Sequence, residues 1–412
     1  MLLKFGKGKI YVGYDLGNTF SQISYCLAGD VSVSTISAVA GEESYNIETL
    51  LLKRHNVNQW LYGKEALKAA QNEEGILVEN LVEMALDGES VLIEGNAYEP
   101  VALLTLFVKK SLALLSMVAP LEKIAAFTFT CESMERRMQA VLETVLAGLN
   151  LKTSQFFLRS YPETYYYFML HQPEELMQHS SALFEYRAGE IKVNVMRRNN
   201  KTTPIVITIE EDEYPFTKAD DLTFLTIAAA VCKEERFSSI YLIGEGFDRS
   251  WMKESLAFLC ERRRVFQGNN LYSKGACFFM QEQFEVTNYG SQYVYFGKDK
   301  LKANVGMRLF NQGEQSYCVL LDAGTNWYEA ENVTEFYIQG EKVLEILITS
   351  LKGANSIVAK ITLEGLESAV TRLRMHVFMK SESRLVVEVE NLGFGELIWQ
   401  NTNRWHEEME LY

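Results

Sequence analysis

The sequence predicts an α/β chain in which one arrangement of strands and helices occurs twice and is followed by an all-β region. Before residue 170 the apolar segments give three strands, then helix, strand, helix, strand and helix, and the same order returns before residue 290. Beyond residue 290, apolar and polar residues alternate. We therefore expect domains at residues 1–170 (with an insertion at about 39–98), 171–290 and 291–412.

The first copy of the arrangement starts with three apolar segments typical of neighbouring strands. The spacing of Met134, Met138, Val141 and Val145 predicts one of the helices that follow. The expected elements are Lys9–Leu16, Thr19–Leu27, Val31–Ala38, a helix at 100–118, Ile124–Thr130, a helix at 133–149, Gln155–Leu158 and a helix at 162–170. Such a unit forms a mixed sheet with helices on its faces.

The second copy is more compact. Its expected elements are Ala182–Arg187, Glu190–Met196, Ile205–Glu210, a helix at 218–234, Ser239–Ile243, a helix at 249–261, Arg264–Gln267 and a helix at 271–281. The acidic run Glu210-Glu211-Asp212-Glu213 is interpreted as a solvated turn before the first of these helices. Two such units enclose a cleft, and clefts between lobes are common ligand sites.

The C-terminal region shows the alternation of half-buried strands. Leu373, Met375, Val377 and Met379 alternate with polar or exposed positions, and the alternation resumes at Leu385 after a Ser-Glu-Ser turn, which predicts a hairpin. A second hairpin is expected from Val333–Ile338 and Val343–Thr349, joined at Gln339-Gly340-Glu341. Asp322-Ala323-Gly324-Thr325-Asn326 is interpreted as a strand-to-loop turn. The region as a whole predicts an all-β sandwich.

Charge and cysteine usage narrow the functional class. The 40 basic and 54 acidic residues give a net charge of −14, which argues against nucleic-acid binding because phosphate recognition needs clustered Lys and Arg. The six scattered cysteines contain no C-x-x-C pair, and no signal peptide is evident at the start, so a reducing, cytoplasmic location is expected. His171 and His179 flank an acidic segment, but their spacing favours a surface connector over a metal site.

The most apolar stretch, Val101–Ala119, is interrupted by Lys109-Lys110. This interruption predicts a buried amphipathic helix and no membrane span.

Two segments are candidates for nucleotide contact. In Tyr11–Thr19, Gly17 permits a tight turn, Asp15 could hold Mg²⁺ through water, and Asn18 and Thr19 could contact phosphate, while the alternative is a simple tight hairpin. In the second segment a buried strand runs into Gly244, Glu245 and Gly246 and then a helix, a turn that can place backbone against a ligand or serve as an ordinary strand–helix connection.

Taken in order, residues 9–290 resemble the superfamily of actin, DnaK-type heat-shock chaperones and sugar kinases, whose ATPase fold is two-lobed and duplicated (RNase H-like). The resemblance implies that Asp15, Gly17, Asn18 and Thr19 bind phosphate and Mg²⁺ and that Gly244, Glu245 and Gly246 bind adenosine. It also implies interlobe connections at Pro162 and Glu163 and at Gly275 and Ala276. ATP or ADP with Mg²⁺ is the implied cofactor, with no metal bound directly by side chains.

Two further resemblances concern particular tracts. Thr371-Arg372-Leu373 through Leu392-Gly393-Phe394-Gly395-Glu396 is similar to the substrate-binding sandwich of DnaK-type chaperones, and no helical lid is expected after it. The tract from Trp251 to Cys277 resembles an uncharacterised bacterial DnaK-like family. A protein or peptide partner for the sandwich is implied.

Several departures from the superfamily pattern weaken the implied ATPase. Where a second phosphate loop should be rich in glycine, the chain has Phe184-Glu185-Tyr186-Arg187-Ala188-Gly189-Glu190, in which acids repel phosphate. Residues 77–82 offer no lysine for the γ-phosphate, and almost no insertion precedes the helix near residue 218. The stretch 291–302 is aromatic and basic, unlike the leucine-aspartate linker of the chaperones.

The leading hypothesis is therefore a DnaK-like protein with a degenerate nucleotide cleft, weak or no ATP hydrolysis and an interacting β-sandwich. The alternative is a working Mg-ATP-dependent chaperone-like switch, in which lobe closure alters what the sandwich holds. An actin-like polymer and a sugar kinase are further alternatives that fewer features favour.

Overall fold

The structure is a computed structural model that describes residues 8–39, 41–233, 235–247, 250–285, 290–311, 314–351, 356–366, 370–393 and 403–411. The chain divides into two compact units, Met1–Gly297 and Lys298–Tyr412. We refer to them as the N-terminal unit and the C-terminal unit.

The first half of the N-terminal unit is built around one mixed sheet. Its elements are β1 (Ile10–Leu16), β2 (Phe20–Leu27), β3 (Ser34–Thr35), β4 (Ile47–Glu48), β5 (Leu51–Arg54), β6 (Trp60–Tyr62), α1 (Gly63–Gln71), β7 (Gly75–Val78), α2 (Leu81–Asp87), β8 (Val91–Ile93), β9 (Asn96–Tyr98), α3 (Pro100–Leu112), β10 (Ile124–Cys131), α4 (Arg136–Leu149), β11 (Phe156–Ser160) and α5 (Tyr161–Leu170). The strand order of this first sheet is β11-β10-β1-β2-β3, with β4 paired to β2.

The second half of the N-terminal unit contains a second mixed sheet. Its elements are β12 (Ser180–Arg187), β13 (Gly189–Asn199), β14 (Ile205–Phe216), α6 (Asp221–Cys232), β15 (Phe237–Ile243), α7 (Glu254–Cys260), β16 (Arg264–Gln267), α8 (Leu271–Glu285) and β17 (Tyr293–Tyr295). The strand order of the second sheet is β16-β15-β12-β13-β14-β17. Because β17 pairs with β14, the N-terminal unit extends beyond the boundary expected near residue 290.

The two sheets share one topology, as the repeated order of elements predicted. In each sheet the first strand (β1 or β12) pairs antiparallel with the second (β2 or β13), and the second pairs antiparallel with the third (β3 or β14). The first strand also pairs in parallel with β10 or β15, which in turn pairs in parallel with β11 or β16. The central strands β1 and β10 are buried along their whole length. Such continuous burial explains their unbroken apolar sequences.

Helices α5 and α8 connect the two sheets. Helix α5 follows the first sheet in the chain, yet Tyr165 and Met169 belong to the apolar core of the second sheet. Helix α8 follows the second sheet, but Cys277 packs with Tyr11 of β1. The hydroxyl of Ser273 also lies 2.8 Å from that of Ser24 on β2. This exchange brings the first turns of both helices together.

The stretch Pro100–Met117 is long and apolar enough to cross a membrane by length and composition. In this chain Leu103, Leu104, Phe107 and Val108 of α3 are buried. Helix α3 packs against α2 and α4 within the N-terminal unit. The helix predicted at this stretch is present as α3, and it is buried along part of its length.

Two local predictions for the N-terminal unit were wrong. The strand expected at Val31–Ala38 is reduced to the two residues of β3. The acidic run at 210–213 is not a turn but part of β14, where Glu211 pairs with Lys192 at 2.7 Å on the neighbouring strand. The connector predicted around His171 and His179 is found between α5 and β12, with Pro173, Glu174 and Glu175 exposed. The His171 side chain itself is largely buried, and its Nε2 lies 3.0 Å from Oε1 of Glu282.

The C-terminal unit contains two four-stranded antiparallel sheets. Its strands are β18 (Ala303–Asn311), β19 (Glu314–Leu321), β20 (Glu331–Gln339), β21 (Val343–Ser350), β22 (Ser356–Thr362), β23 (Val370–Met379), β24 (Arg384–Gly393) and β25 (Arg404–Glu410). The strand orders are β19-β18-β21-β22 and β20-β23-β24-β25. The hairpin of β23 and β24 is confirmed, with Leu373, Met375, Val377 and Met379 all buried.

The hairpin predicted around Gln339-Gly340-Glu341 was wrong. Strand β20 pairs with β23, and β21 pairs with β18 and β22, so this connection passes from one sheet to the other. The turn at Asp322–Asn326 is confirmed, since the Thr325 amide donates to the Asp322 carbonyl at 3.3 Å. The segment Phe394-Gly395-Glu396, part of the chaperone resemblance, lies outside the described residues.

Candidate functional site

A buried carboxyl group marks the place where the two sheets meet. Asp15 follows the apolar run of β1, and its residue is only 8% exposed. The hydroxyl of Tyr161, at the first position of α5, donates a hydrogen bond of 2.7 Å to Oδ1 of Asp15. The predicted Mg²⁺ residue is therefore held by a side chain of this chain's own connecting helix.

A pair of stacked tyrosines links Asp15 to the second sheet. The rings of Tyr161 and Tyr272 are parallel within 5° and their centroids are 3.8 Å apart. Tyr272, in the first turn of α8, donates a 3.0 Å hydrogen bond to Oε2 of Glu185 on β12. We call the chain Asp15, Tyr161, Tyr272 and Glu185 the junction network. It joins the end of β12 to the first phosphate-loop candidate.

Two cations next to the junction network are already paired with acids. Arg187 contacts Glu185 at 3.0 Å and also Glu132, which follows β10 of the first sheet. Lys192 lies 3.2 Å from Glu132 and 2.7 Å from Glu211. Since Glu132 comes from the first half and both cations from the second, these ion pairs hold the two halves together.

The electrostatics of the junction network favour a protonated acid over a bound anion. Burial raises the pKa of Asp15 to about 7; the hydrogen bond from Tyr161 opposes this shift and the charge of Glu185 adds to it. Burial also lowers the pKa of Arg187, but Glu185 and Glu132 outweigh that effect and the net shift is upward. The described acids here outnumber the cations.

The remaining phosphate-loop candidates are engaged within the chain. The amide of Gly17 donates to the Phe20 carbonyl at 3.1 Å, and the Thr19 carbonyl accepts from the Thr49 amide at 2.9 Å. Asn18 donates to the Asn80 side chain at 3.2 Å. Its side-chain oxygen also accepts from the Glu83 amide at 3.4 Å, in the first turn of α2. The tight-hairpin interpretation accounts for these contacts.

The glycine turn after β15 packs against Tyr186. A Cβ atom at Gly246 would overlap the Tyr186 ring, and Gly244, whose φ is +98°, lies against the Tyr186 backbone. Glu245 accepts a 2.6 Å hydrogen bond from Asn46, whose side-chain oxygen accepts from Gln22 of β2 at 2.6 Å. The adenosine candidates thus serve packing and a link to the first half.

The predicted connections lie in the two helices that join the sheets. Pro162 and Glu163 are in the first turn of α5, and Gly275 and Ala276 are buried in α8. A Cβ atom at Gly275 would overlap the carbonyl of Thr164, so only glycine allows the helices to approach this closely.

Sequence reasoning missed the residues that complete the site. Tyr161 and Tyr272 begin α5 and α8, but nothing local marks them as partners because 111 positions separate them. Glu132 and Lys192 were likewise not singled out. Among the described residues, no group of three or more His, Cys, Asp and Glu side chains is placed to hold a metal ion.

A second candidate surface is a groove of about 410 Å³ in the C-terminal unit. It lies on the sheet containing β23, β24 and β25, and it is lined by Val333, Arg374, His376, Glu388, Val389, Glu390, Arg404, Trp405 and His406. Arg374 and Arg404 each contact Glu390, at 3.6 and 2.9 Å. The groove therefore combines apolar side chains with charges of both signs.

Two family models together cover most of the chain. A family of unknown function (DUF5716), C-terminal, matches residues 32–298, and a domain of unknown function (DUF8552) matches residues 300–411. The chain belongs to the first of these families. The two matches meet where the structure divides, between Gly297 and Lys298. No curated protein matches the chain.

Proposed function

We propose that this member of the family is an actin/DnaK-like scaffold whose nucleotide cleft is closed by its own side chains, with weak or no ATP hydrolysis. Its C-terminal unit, folded as a β-sandwich, acts as a protein- or peptide-binding module. The observation that carries the proposal is the junction network. Its two stacked tyrosines connect the carboxylates of Asp15 and Glu185, which lie near the ends of the first strands of the two sheets.

The contacts of the junction network support closure. The superfamily resemblance assigns Asp15 to phosphate and metal, and Glu185 stands where a second phosphate loop is expected. Each of the two carboxylates accepts a hydrogen bond from a tyrosine. A phosphate entering there meets acids whose neighbouring cations, Arg187 and Lys192, are already paired. Coulomb repulsion in such a low-dielectric place is strong.

Topology supports the scaffold part of the proposal. The two sheets share one strand order, and α5 and α8 cross between them, as the superfamily resemblance implies. Only residues 217–220 separate β14 from α6, so the second half lacks an inserted subdomain beside the glycine turn. The adenine of a bound nucleotide would have no wall on that side.

The binding module rests on the groove of the C-terminal unit. Val333 is exposed at the groove and Trp405 is partly exposed, and the flanking Arg and Glu side chains offer hydrogen bonds to peptide groups. Binding of unfolded peptides to the full chain tests this part. Val333→Glu should weaken binding, and Val31→Glu, at another exposed valine in the N-terminal unit, is the matched control.

The nucleotide part is tested by calorimetric titration of the full chain with Mg-ATP and Mg-ADP. The proposal expects no heat of binding at millimolar nucleotide and no phosphate release above a no-protein blank. Tyr161→Phe and Tyr272→Phe are titrated in the same way as the wild type. Tyr317→Phe, in the C-terminal unit, is the control for loss of a tyrosine hydroxyl. Micromolar binding that is lost in Asp15→Ala would refute the closed scaffold and favour the Mg-ATP-dependent switch.

A further inference from the structure

The last strand of the C-terminal unit, β25, lies at the edge of its sheet. It pairs with β24 on one side, and in the described part of the chain no strand pairs with its other side. Edge strands with unpaired backbone groups readily accept a strand from another chain. Natural proteins usually block such an edge, so the side chains on β25 decide what it can accept.

The charges along β25 change sign halfway. Arg404, His406, Glu408 and Glu410 share one face of the strand, opposite Glu390, Glu388, Val386 and Arg384 of β24. The side chains of Arg404 and Glu410 remain 77% and 68% exposed, although each has a partner on β24. Most of their charge is therefore available to a second partner.

This order of charges is complementary to itself in an antiparallel pair. If β25 of one copy runs antiparallel to β25 of another about a two-fold axis at Glu407, Arg404 faces Glu410 of the second copy. His406 then faces Glu408, and on the opposite face Trp405 faces Met409. Opposite charges and aromatic–aliphatic pairs directly across two strands stabilise a sheet.

The other edge strands of the C-terminal unit do not have this property. On β19 the charged residue is Glu314, on β20 the charged residues are Glu331 and Glu335, and on β22 the charged residue is Lys360. Self-pairing of any of these strands brings no opposite charges together. The sign change is a feature of β25.

We propose that the chain forms a symmetric dimer through antiparallel pairing of β25, which joins two four-stranded sheets into one continuous sheet of eight strands. The interface is isologous, so each Arg404–Glu410 and His406–Glu408 contact occurs twice. Glu407 meets its own copy at the axis, and this like-charge contact keeps the dimer weak. The proposed dimer does not depend on whether the N-terminal unit binds nucleotide.

The test is a charge swap measured by sedimentation equilibrium of the full chain at low salt. Arg404→Glu places two acids opposite each other at both ends of the interface, and Glu410→Arg places two cations there. Each variant alone should dimerise on the order of tenfold less tightly than the wild type. An equimolar mixture of the two should form a heterodimer with near wild-type affinity, because its opposing charges are again complementary.

The mixture separates this interface from a folding defect. Each variant also loses a contact within its own sheet, Arg404 with Glu390 or Glu410 with Arg384, and mixing cannot restore those. Lys360→Glu, on β22 of the other sheet, also loses a contact within its own sheet, with Glu345, and is the matched control that should leave dimerisation unchanged. Glu407→Gln should strengthen the dimer a few-fold. A wild type that is monomeric at about 100 μM, or variants that fail to recover on mixing, would overturn the proposal.

Discussion

Replacing Asp15 by asparagine should remove a large pH dependence from the stability of the fold. The pKa of Asp15 is about 7 in the folded chain, against about 3.9 for an unfolded aspartate. Because the folded-state pKa is raised, the contribution of this group is fully present below pH 4 and is lost as the pH rises to 7. A shift of about three units corresponds to about 4 kcal/mol.

The measurement is urea unfolding of the wild type and Asp15→Asn between pH 4 and pH 8. Other titrating groups are common to both proteins, so the difference between their free energies of unfolding isolates Asp15. The free energy of unfolding of Asp15→Asn should rise relative to that of the wild type by about 1.4 kcal/mol per pH unit between pH 4 and 7, and the difference should then level off. Asp212→Asn, at an exposed position on β14, controls for removing one charge. Parallel stability curves for wild type and Asp15→Asn would refute the reasoning.

Three further changes test other parts of the N-terminal unit by the same unfolding assay. Tyr161→Phe removes the hydrogen bond that lowers the pKa of Asp15, so the pH transition should extend above pH 7, and an unmoved transition would contradict the contact. Gly275→Ala should cost about 1–3 kcal/mol because its Cβ overlaps the Thr164 carbonyl, whereas Gly268→Ala, with open space around it, should change stability by less than about 0.5 kcal/mol. Asp221 accepts from the amides of the first turn of α7, and Asp221→Ala should cost about 1 kcal/mol. Burial opposes the shift, but hydrogen bonds from the Ser255 hydroxyl and from these amides lower the pKa of Asp221 to about 2. Its contribution is therefore present above pH 4 and is lost as the pH falls towards 2.

Local patterns predicted much of the secondary structure. Arg264–Gln267 was predicted and found as β16, and the alternation from Leu373 was found as β23. Strong apolar periodicity specifies which residues are buried, and burial decides between helix and strand in these segments. Predictions from strongly patterned segments therefore held.

The predictions that were wrong depended on strand register and sheet membership. The acids at 210–213 look like a solvated turn until β13 supplies Lys192 and Arg197, which pair with Glu211 and Glu210. Likewise Gln339-Gly340-Glu341 has the composition of a hairpin turn, but composition does not say whether the next strand stays in the same sheet. Both outcomes are set by residues distant in sequence.

The candidate site shows the same division between local and distant information. Asp15 stood out because it lies two residues before the tight turn that Gly17 permits, and the structure places it at the junction. Tyr161 and Tyr272 did not stand out, since each is an ordinary aromatic residue at a helix start. Their role exists only because α5 and α8 cross.

The titration of Asp15 and the closure of the junction network are coupled. Opening the network breaks the tyrosine stack and two hydrogen bonds, together about 3–5 kcal/mol when Asp15 is protonated. That penalty would weaken nucleotide binding by about two to nearly four orders of magnitude at pH 5. By pH 8 the cost of burying a charged Asp15, about 4 kcal/mol, cancels most of this penalty.

Nucleotide binding should therefore be measured at pH 8 as well as pH 5. Binding that emerges at pH 8 would identify the network as the barrier, and none at either pH would place the cause in the missing glycine loop at Glu185–Glu190.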